Sequence, residues 1–218
     1  MSENHSENND KLYVVGVGAS AGGLDALSKL VDNLPTKPIN FAIIVAQHVS
    51  PDYKSRMVEL LNRNSRWPIA EAQDQLPIEA GTVYITPPDH EISVEDHSIV
   101  LKKIKQKVHA VPSVDNLLQS IASEFKNYAI GVILSGTGED GSLGIKEIKK
   151  GKGYTIAQEP STSQHRSMPE TAIKTGYVDV VLPPAQIGYE LIRFIQNHQV
   201  VNGVEEKESS TESIFGLM

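Results

Sequence analysis

Three short stretches of this chain carry side chains able to do covalent chemistry. The first, Gly18-Ala19-Ser20-Ala21-Gly22, reads G-x-S-x-G and sits between an apolar run from Leu12 to Val17 and a helical spacing of Leu24, Leu27, Leu30 and Val31. Strand, tight turn, helix is the context a nucleophilic serine needs. Glycines permit the sharp turn, and unpaired N–H groups at the helix start can face an oxyanion. The same letters also spell Gly16-x-Gly18-x-x-Ala21, the Ala-ended form of the dinucleotide-binding fingerprint. From this turn alone a nucleophile, a dinucleotide site and a structural glycine turn all stay open.

The second stretch separates them. A dinucleotide fold wants an acidic residue roughly 20 residues beyond the glycines to hold the ribose. Here the run Phe41 to Ala46 ends instead in Gln47-His48. A histidine leaving a buried strand beside Ser20 is placed to act as a general base near neutral pH, although a lone strand-end histidine is more often scaffolding. The third stretch follows the apolar run Ala129 to Leu134 and reads Ser135-Gly136-Thr137-Gly138-Glu139-Asp140-Gly141. Asp140 alone would pass for the N-cap of the next helix. Beside His48 it gains a second role, accepting a ring N–H and fixing the tautomer that leaves the other nitrogen basic. Serine, histidine and aspartate at three strand ends are the set needed for acyl transfer.

The elements that position them follow from hydrophobic periodicity. Continuously apolar runs such as FAIIVA and AIGVIL predict strands buried on both faces of a parallel sheet. Helical spacing predicts helices through Met57 and Leu61, from Ser113 as N-cap through Ile121, through Ile145 and Ile148, and from Ala185 to Ile195. Between Gly81 and Leu101 short strands alternate with turn residues, and Ile92 to Leu101 predicts a β-hairpin. Tyr154 to Ala157 and Tyr177 to Leu182 are expected as further core strands. The expected fold class is α/β: a doubly wound, mostly parallel sheet flanked by helices, with an antiparallel β-hairpin insertion.

Bulk properties narrow the function class. A formal charge of −7 over 218 residues argues against a backbone-driven nucleic-acid binder. The one dense basic run, Lys102, Lys103, Lys105 and Lys107, reads as the solvated exit of a strand. With no cysteine, disulfides, thiolate metal sites and cysteine nucleophiles are out of reach, and a cytoplasmic location is expected. No apolar run approaches the roughly 20 residues that span a bilayer, so no direct membrane insertion is expected. The histidines other than His48 show no metal-ligand spacing, and neither metal nor organic cofactor is expected. Residues 1–11 read as a disordered polar tail, 12–198 as one catalytic domain, and 199–218 as an acidic linker or tail.

The order Ser, His, Asp differs from the Ser, Asp, His order of common α/β hydrolases. Over nearly all of Leu12 to Ile195 the chain resembles the catalytic domain of the CheB protein-glutamate methylesterases of bacterial chemotaxis. The segments that carry the resemblance are VGVGASAGGLDAL, the QH strand end, PSVD at Pro112 to Asp115, LSGTGEDGSLG and IAQEPSTSQHRSMPETA. It implies hydrolysis of glutamyl methyl esters on the cytoplasmic helices of methyl-accepting chemoreceptors, often with deamidation of glutamines. Ser20, His48 and Asp140 fall on the family's triad positions. The backbone N–H groups of Ala21 and Thr137 fall on its oxyanion donors, where the family more usually has methionine than threonine. Arg166, Met168 and Pro169 would lie near the substrate rim, although Met168 suits a helix core equally well. The family usually carries a receiver domain as well. With eleven residues before the first strand, either the enzyme is regulated by another route or the chain is a piece of a longer signalling protein such as a methylesterase–methyltransferase fusion, and the apolar IFGLM end favours the second expectation. Competing readings are a receptor-docking module without turnover, a general small-molecule esterase and a dinucleotide-binding domain.

Overall fold

A computed structural model describes residues 12–36, 39–48, 56–63, 65–104 and 111–215, with side chains described up to residue 200 apart from residue 56. Its centre is a seven-stranded parallel sheet. In chain order the strands are β1 (Tyr13–Ala19), β2 (Phe41–Gln47), β3 (Ile69–Glu71), β5 (Val83–Ile85), β8 (Ala129–Ile133), β9 (Tyr154–Gln158) and β10 (Val180–Leu182). They lie in the order β10-β9-β8-β1-β2-β5-β3. All residues of β1, β2 and β8 are buried, as their unbroken apolar sequence requires.

Helices cover both faces. On one face α1 (Gly23–Val31), α2 (Arg56–Asn62) and α6 (Pro184–Phe215) bring Leu27, Leu30, Leu61, Ile187 and Leu191 against Tyr13, Val15, Val17 and Val45. On the other face α3 (Val114–Phe125), α4 (Ser142–Lys150) and α5 (Ser167–Lys174) cover Val14, Ala42, Ile44 and Ile133. In α3 the buried residues Leu117, Leu118, Ile121 and Phe125 recur every one to four positions along one stripe. Each fully buried leucine or isoleucine there stabilises the fold by about 1.5–3 kcal/mol of transfer free energy.

A second, antiparallel sheet of β4 (Leu76–Pro77), β6 (His90–Glu95) and β7 (Ser98–Lys103), in the order β4-β7-β6, packs along α3. The hairpin expected over Ile92 to Leu101 is β6 and β7, with Ser93 paired to Val100. Glu91 of β6 accepts the Ser113 N–H at 2.9 Å, so this sheet buttresses the start of α3. Lys102 and Lys103 are exposed at the end of β7, whereas Lys105 and Lys107 lie outside the described residues.

Three expectations need revision. The strand read over Tyr177 to Leu182 is only β10, a partly exposed edge strand, because the Tyr177 carbonyl and the Asp179 carboxylate turn inward to satisfy Thr155. The run Thr82 to Thr86, grouped with the antiparallel insertion, contributes β5 to the parallel sheet beside β2 instead. The last helix does not stop at Ile195 but runs to Phe215, so the acidic stretch read as a linker has helical backbone. No described helix is long and apolar enough to cross a membrane.

Candidate active site

β1 is the topological switch point: the chain steps from β1 to β2 on one side, and β8 pairs on the other. In parallel sheets this is where loops diverge and leave a crevice at the carboxyl ends of the strands. Ser20 leaves β1, His48 leaves β2 and Asp140 lies in the loop after β8, so all three meet at one edge.

Backbone pairing carries the sheet register past the strand ends. Ala19 pairs with Gln47, which makes Ser20 and His48 the next neighbours, at the ~5 Å spacing of adjacent strands. The His48 N–H donates to the Ala19 carbonyl, and the Ser20 N–H donates to the Ser135 carbonyl, both at 3.0 Å. Ser20 is thereby held between the two flanking strand ends. It has no positive φ; the left-handed residue of the turn is Gly22, at φ +73°. A Cβ at Gly22 would also strike Ser135 Oγ, so glycine is required there on both counts.

His48 Nε2 lies 3.2 Å from Asp140 Oδ2, with both side chains mostly buried. Among the described residues Ser20 Oγ makes no hydrogen bond to His48. Asp140 does more than meet the histidine. Its Oδ2 accepts the Val114 N–H and its Oδ1 the Asp115 N–H, each at 2.9 Å. Those are the first amides of α3. Asp140 does cap a helix, but not the one that follows it in sequence: α4 has Gly141 at its N-cap. Burial alone would raise the Asp140 pKa, yet the hydrogen bonds from His48, Asp115 and Val114 outweigh it and hold the carboxyl below the usual aspartate range.

The cap is reciprocated. Asp115, in the first turn of α3, accepts the Gly144 N–H of α4 at 2.8 Å. Burial, with the Asp140 charge adding to it, raises the Asp115 pKa against that amide. Two helix starts therefore exchange carboxylates across the site. The sequence offered Ser113 as the α3 cap, and its hydroxyl does accept the Asn116 N–H. The part played by Asp115 was not legible, since its partner lies 29 residues away.

The glycines of the first motif have a different task from the one a dinucleotide fingerprint assigns. Gly16 and Gly18 are strand residues under α3. A Cβ at Gly16 would lie 2.5 Å from Leu118 Cδ2, and one at Gly18 would run into the Val114 side chain. They let α3 approach the sheet, and that approach brings its amides to Asp140.

The loop after β8 is anchored from below. Ser135 is buried; its Oγ donates to the Ala21 carbonyl at 2.9 Å and accepts the His165 N–H at 3.0 Å. Gly136 packs against Ser20, since a Cβ there would fall 2.9 Å from Ser20 Cβ. The N–H groups of Ala21 and Thr137 donate to no other described residue. Met168 is 1% exposed and its sulfur abuts Gly136, so it takes the core position rather than a place on the rim. Pro169 is likewise buried in α5, whereas Arg166 is exposed, 3.9 Å from Glu170. Among the described residues no cluster of three or more His, Cys, Asp or Glu is arranged to hold a metal.

Similarity to known proteins extends over most of the chain. A family model described as CheB methylesterase matches residues 15–191. A Carboxydothermus hydrogenoformans relative named protein-glutamate methylesterase/protein-glutamine glutaminase 1 is 37% identical over 82% of this chain and 54% of its own length. A Leptospira interrogans relative is 32% identical over 84% of this chain and 94% of its own length. The chain thus spans nearly all of one relative and about half of the other. The crystal structure of the Thermotoga maritima CheB methylesterase catalytic domain superposes with a TM-score of 0.78 at 32% identity, covering 84% of this chain and 99% of that one.

Proposed function

The chain belongs to the CheB methylesterase family, and from that premise we propose that it hydrolyses glutamyl methyl esters on chemoreceptor cytoplasmic helices, releasing methanol. The observation that carries this reading is the convergence of Ser20, His48 and Asp140 at the switch point, with Asp140 tied to His48 at 3.2 Å. Deamidation of glutamine side chains at the same site is the second activity, since an amide carbonyl accepts the same attack.

In the proposed mechanism Ser20 Oγ attacks the ester carbonyl while His48 takes its proton. With Nε2–H donated to Asp140, the base is Nδ1, and Asp140 stabilises the imidazolium as it forms. The tetrahedral oxygen is received by the N–H groups of Ala21 and Thr137, each contributing about 3 kcal/mol to lowering the barrier. Methanol leaves with the proton from His48, and water activated by the same nitrogen frees the glutamate. The Ser20–His48 hydrogen bond closes when substrate is seated, as catalytic hydrogen bonds often tighten only in the complex. Exchange of methionine for Thr137 leaves the N–H donor in place. Arg166 is proposed as a rim contact for the receptor helix, and a receiver or methyltransferase domain as the partner within a longer chain.

The test is a comparison of substrates. Methylated receptor cytoplasmic fragments should yield methanol with a kcat/KM well above that for short acyl esters such as p-nitrophenyl acetate. Equal or better turnover of the small ester would point to a general esterase, and receptor binding without methanol release would point to a docking module.

A further inference from the structure

Each candidate oxyanion donor belongs to a peptide unit whose carbonyl is held from behind. In a trans peptide the N–H points opposite to the C=O, so whatever fixes the carbonyl also aims the amide. The Ala21 N–H shares its peptide with the Ser20 carbonyl. That carbonyl accepts two hydrogen bonds, from Gln47 Nε2 at 2.7 Å and from the Gly23 N–H at 2.9 Å. The Thr137 N–H shares its peptide with the Gly136 carbonyl, which accepts the Met168 N–H at 3.0 Å and Ser167 Oγ at 3.3 Å. Ser167 Oγ also takes the Gly138 N–H at 3.0 Å, clamping the loop at a second point.

Gln47 is the side chain that nothing in the reaction accounts for. It is 5% exposed, and its Nε2 reaches both the Ser20 and the His48 carbonyls, at 2.7 and 3.3 Å. Its Oε1 is buried with no hydrogen-bond partner among the described residues. A buried amide that leaves its own acceptor unsatisfied costs stability. Turning the amide over would set Oε1 against two carbonyl oxygens, so the observed orientation is the one that serves the Ser20 and His48 peptides.

We propose that Gln47 is a positioning residue that aims the Ala21 N–H at the developing oxyanion, with Ser167 doing the same for the Thr137 N–H. The inference rests on the reading of Ser20 as nucleophile and of these two amides as its oxyanion donors. A hydrogen bond to the Ser20 carbonyl also polarises that peptide and makes its N–H a stronger donor. Because the amide is held before substrate arrives, the effect belongs to the transition state and should appear in kcat rather than in KM.

The test uses two readouts on the whole chain. One is methanol release from methylated receptor fragments. The other is the rate at which a fluorophosphonate modifies Ser20, where the Ser20 Oγ–P bond forms, fluoride leaves, and the serine proton passes to His48. Gln47→Met keeps the side-chain length but cannot donate. It should slow both reactions roughly tenfold to thirtyfold, with KM within about twofold of the parent. Ser167→Ala should cost less, roughly threefold, because its hydrogen bond to the Gly136 carbonyl is 3.3 Å long against 2.7 Å for that of Gln47 to the Ser20 carbonyl.

Gln47→Glu separates aim from mere packing. Ionised, it cannot donate; protonated, it regains an O–H for the Ser20 carbonyl. Its rate relative to the parent should therefore rise roughly threefold or more from about pH 8 to about pH 6, while the Gln47→Met ratio stays flat. Parent-like rates in Gln47→Met, or a Gln47→Glu ratio that does not change with pH, would overturn the proposal. If Gln47→Met fails to fold, the pH ratio of Gln47→Glu decides. A parent that phosphonylates but releases no methanol defeats the substrate reading, and the phosphonylation rates still decide the role of Gln47. A parent inert to both reagents removes the nucleophile and this proposal with it.

Discussion

Asp140 and Asp115 lie at the same place, face each other's helices and are pushed in opposite directions. Asp140 is held below the ordinary aspartate range by His48 and two α3 amides, and Asp115 is raised by burial and by the Asp140 charge. A carboxyl whose folded pKa is depressed adds stability above its unfolded pKa and loses it as pH falls through the folded value. One whose folded pKa is raised detracts from stability once ionised, and that cost vanishes below the unfolded value. Asp140→Asn should therefore lower stability near neutral pH by about 1–3 kcal/mol, through loss of charge-assisted hydrogen bonds to two amides and a histidine. Asp115→Asn should leave stability unchanged or raise it, since its amide oxygen still accepts the Gly144 N–H and the repulsion is gone. Thermal unfolding of both variants across pH checks the signs; equal losses would refute them. The residues of the candidate site could be picked out one at a time in the sequence because each lies at a strand end or in the loop that follows one. Their second bonds were not, because Asp140 to Val114 and Gln47 to the Ser20 carbonyl span 26 and 27 residues and only the folded sheet brings them together.

The element that sets the candidate site is α3, although it supplies no side chain to the proposed triad. Its amides receive Asp140, its first turn caps α4, and its closeness to the sheet depends on Gly16 and Gly18. The antiparallel sheet supports it from the other side through Glu91 on Ser113 and Ser120 on the Val94 N–H. Gly18→Ala should thus push α3 away by colliding with Val114, cost about 1–3 kcal/mol of stability, and reduce turnover by disturbing Asp140. Gly176→Ala makes a control: its φ is +75° but a Cβ there meets nothing within 4 Å, so its cost should be conformational, about 1–2 kcal/mol. Unfolding midpoints with turnover at a permissive temperature test the pair; a Gly18→Ala chain with full activity would detach α3 from the chemistry. The sequence pattern alone allowed those glycines to be read as a phosphate-binding turn. Periodicity reports that a residue lies in a strand, and it cannot report which helix lies above it.

At the scale of the molecule the fold was legible where apolar runs are continuous or helical spacing is strong, as in β1, β2, β8 and α3. It was least legible at the margins. The strand at the sheet edge is short because it buries little, and β5 is too brief for its pairing partner to be read from three residues. The extension of α6 lies in a stretch whose composition suggests no packing, so nothing local marks where the helix ends. A serine–histidine–aspartate site needs no added group, so a chelator such as EDTA should leave turnover within about twofold, and millimolar NAD should not raise the unfolding temperature. A thermal shift that grows with NAD concentration would revive the dinucleotide reading of the first motif.

Ser20 is the proposed nucleophile, served by His48 and Asp140. Methanol release from a methylated receptor fragment, measured side by side for the parent, Ser20→Ala, His48→Ala and Asp140→Asn, tests it most directly. The parent should turn over, the first two variants should lose activity on the order of 10⁴-fold or more with folding intact, and the third should show a smaller but still large loss. Methanol release persisting in a folded Ser20→Ala chain would contradict it.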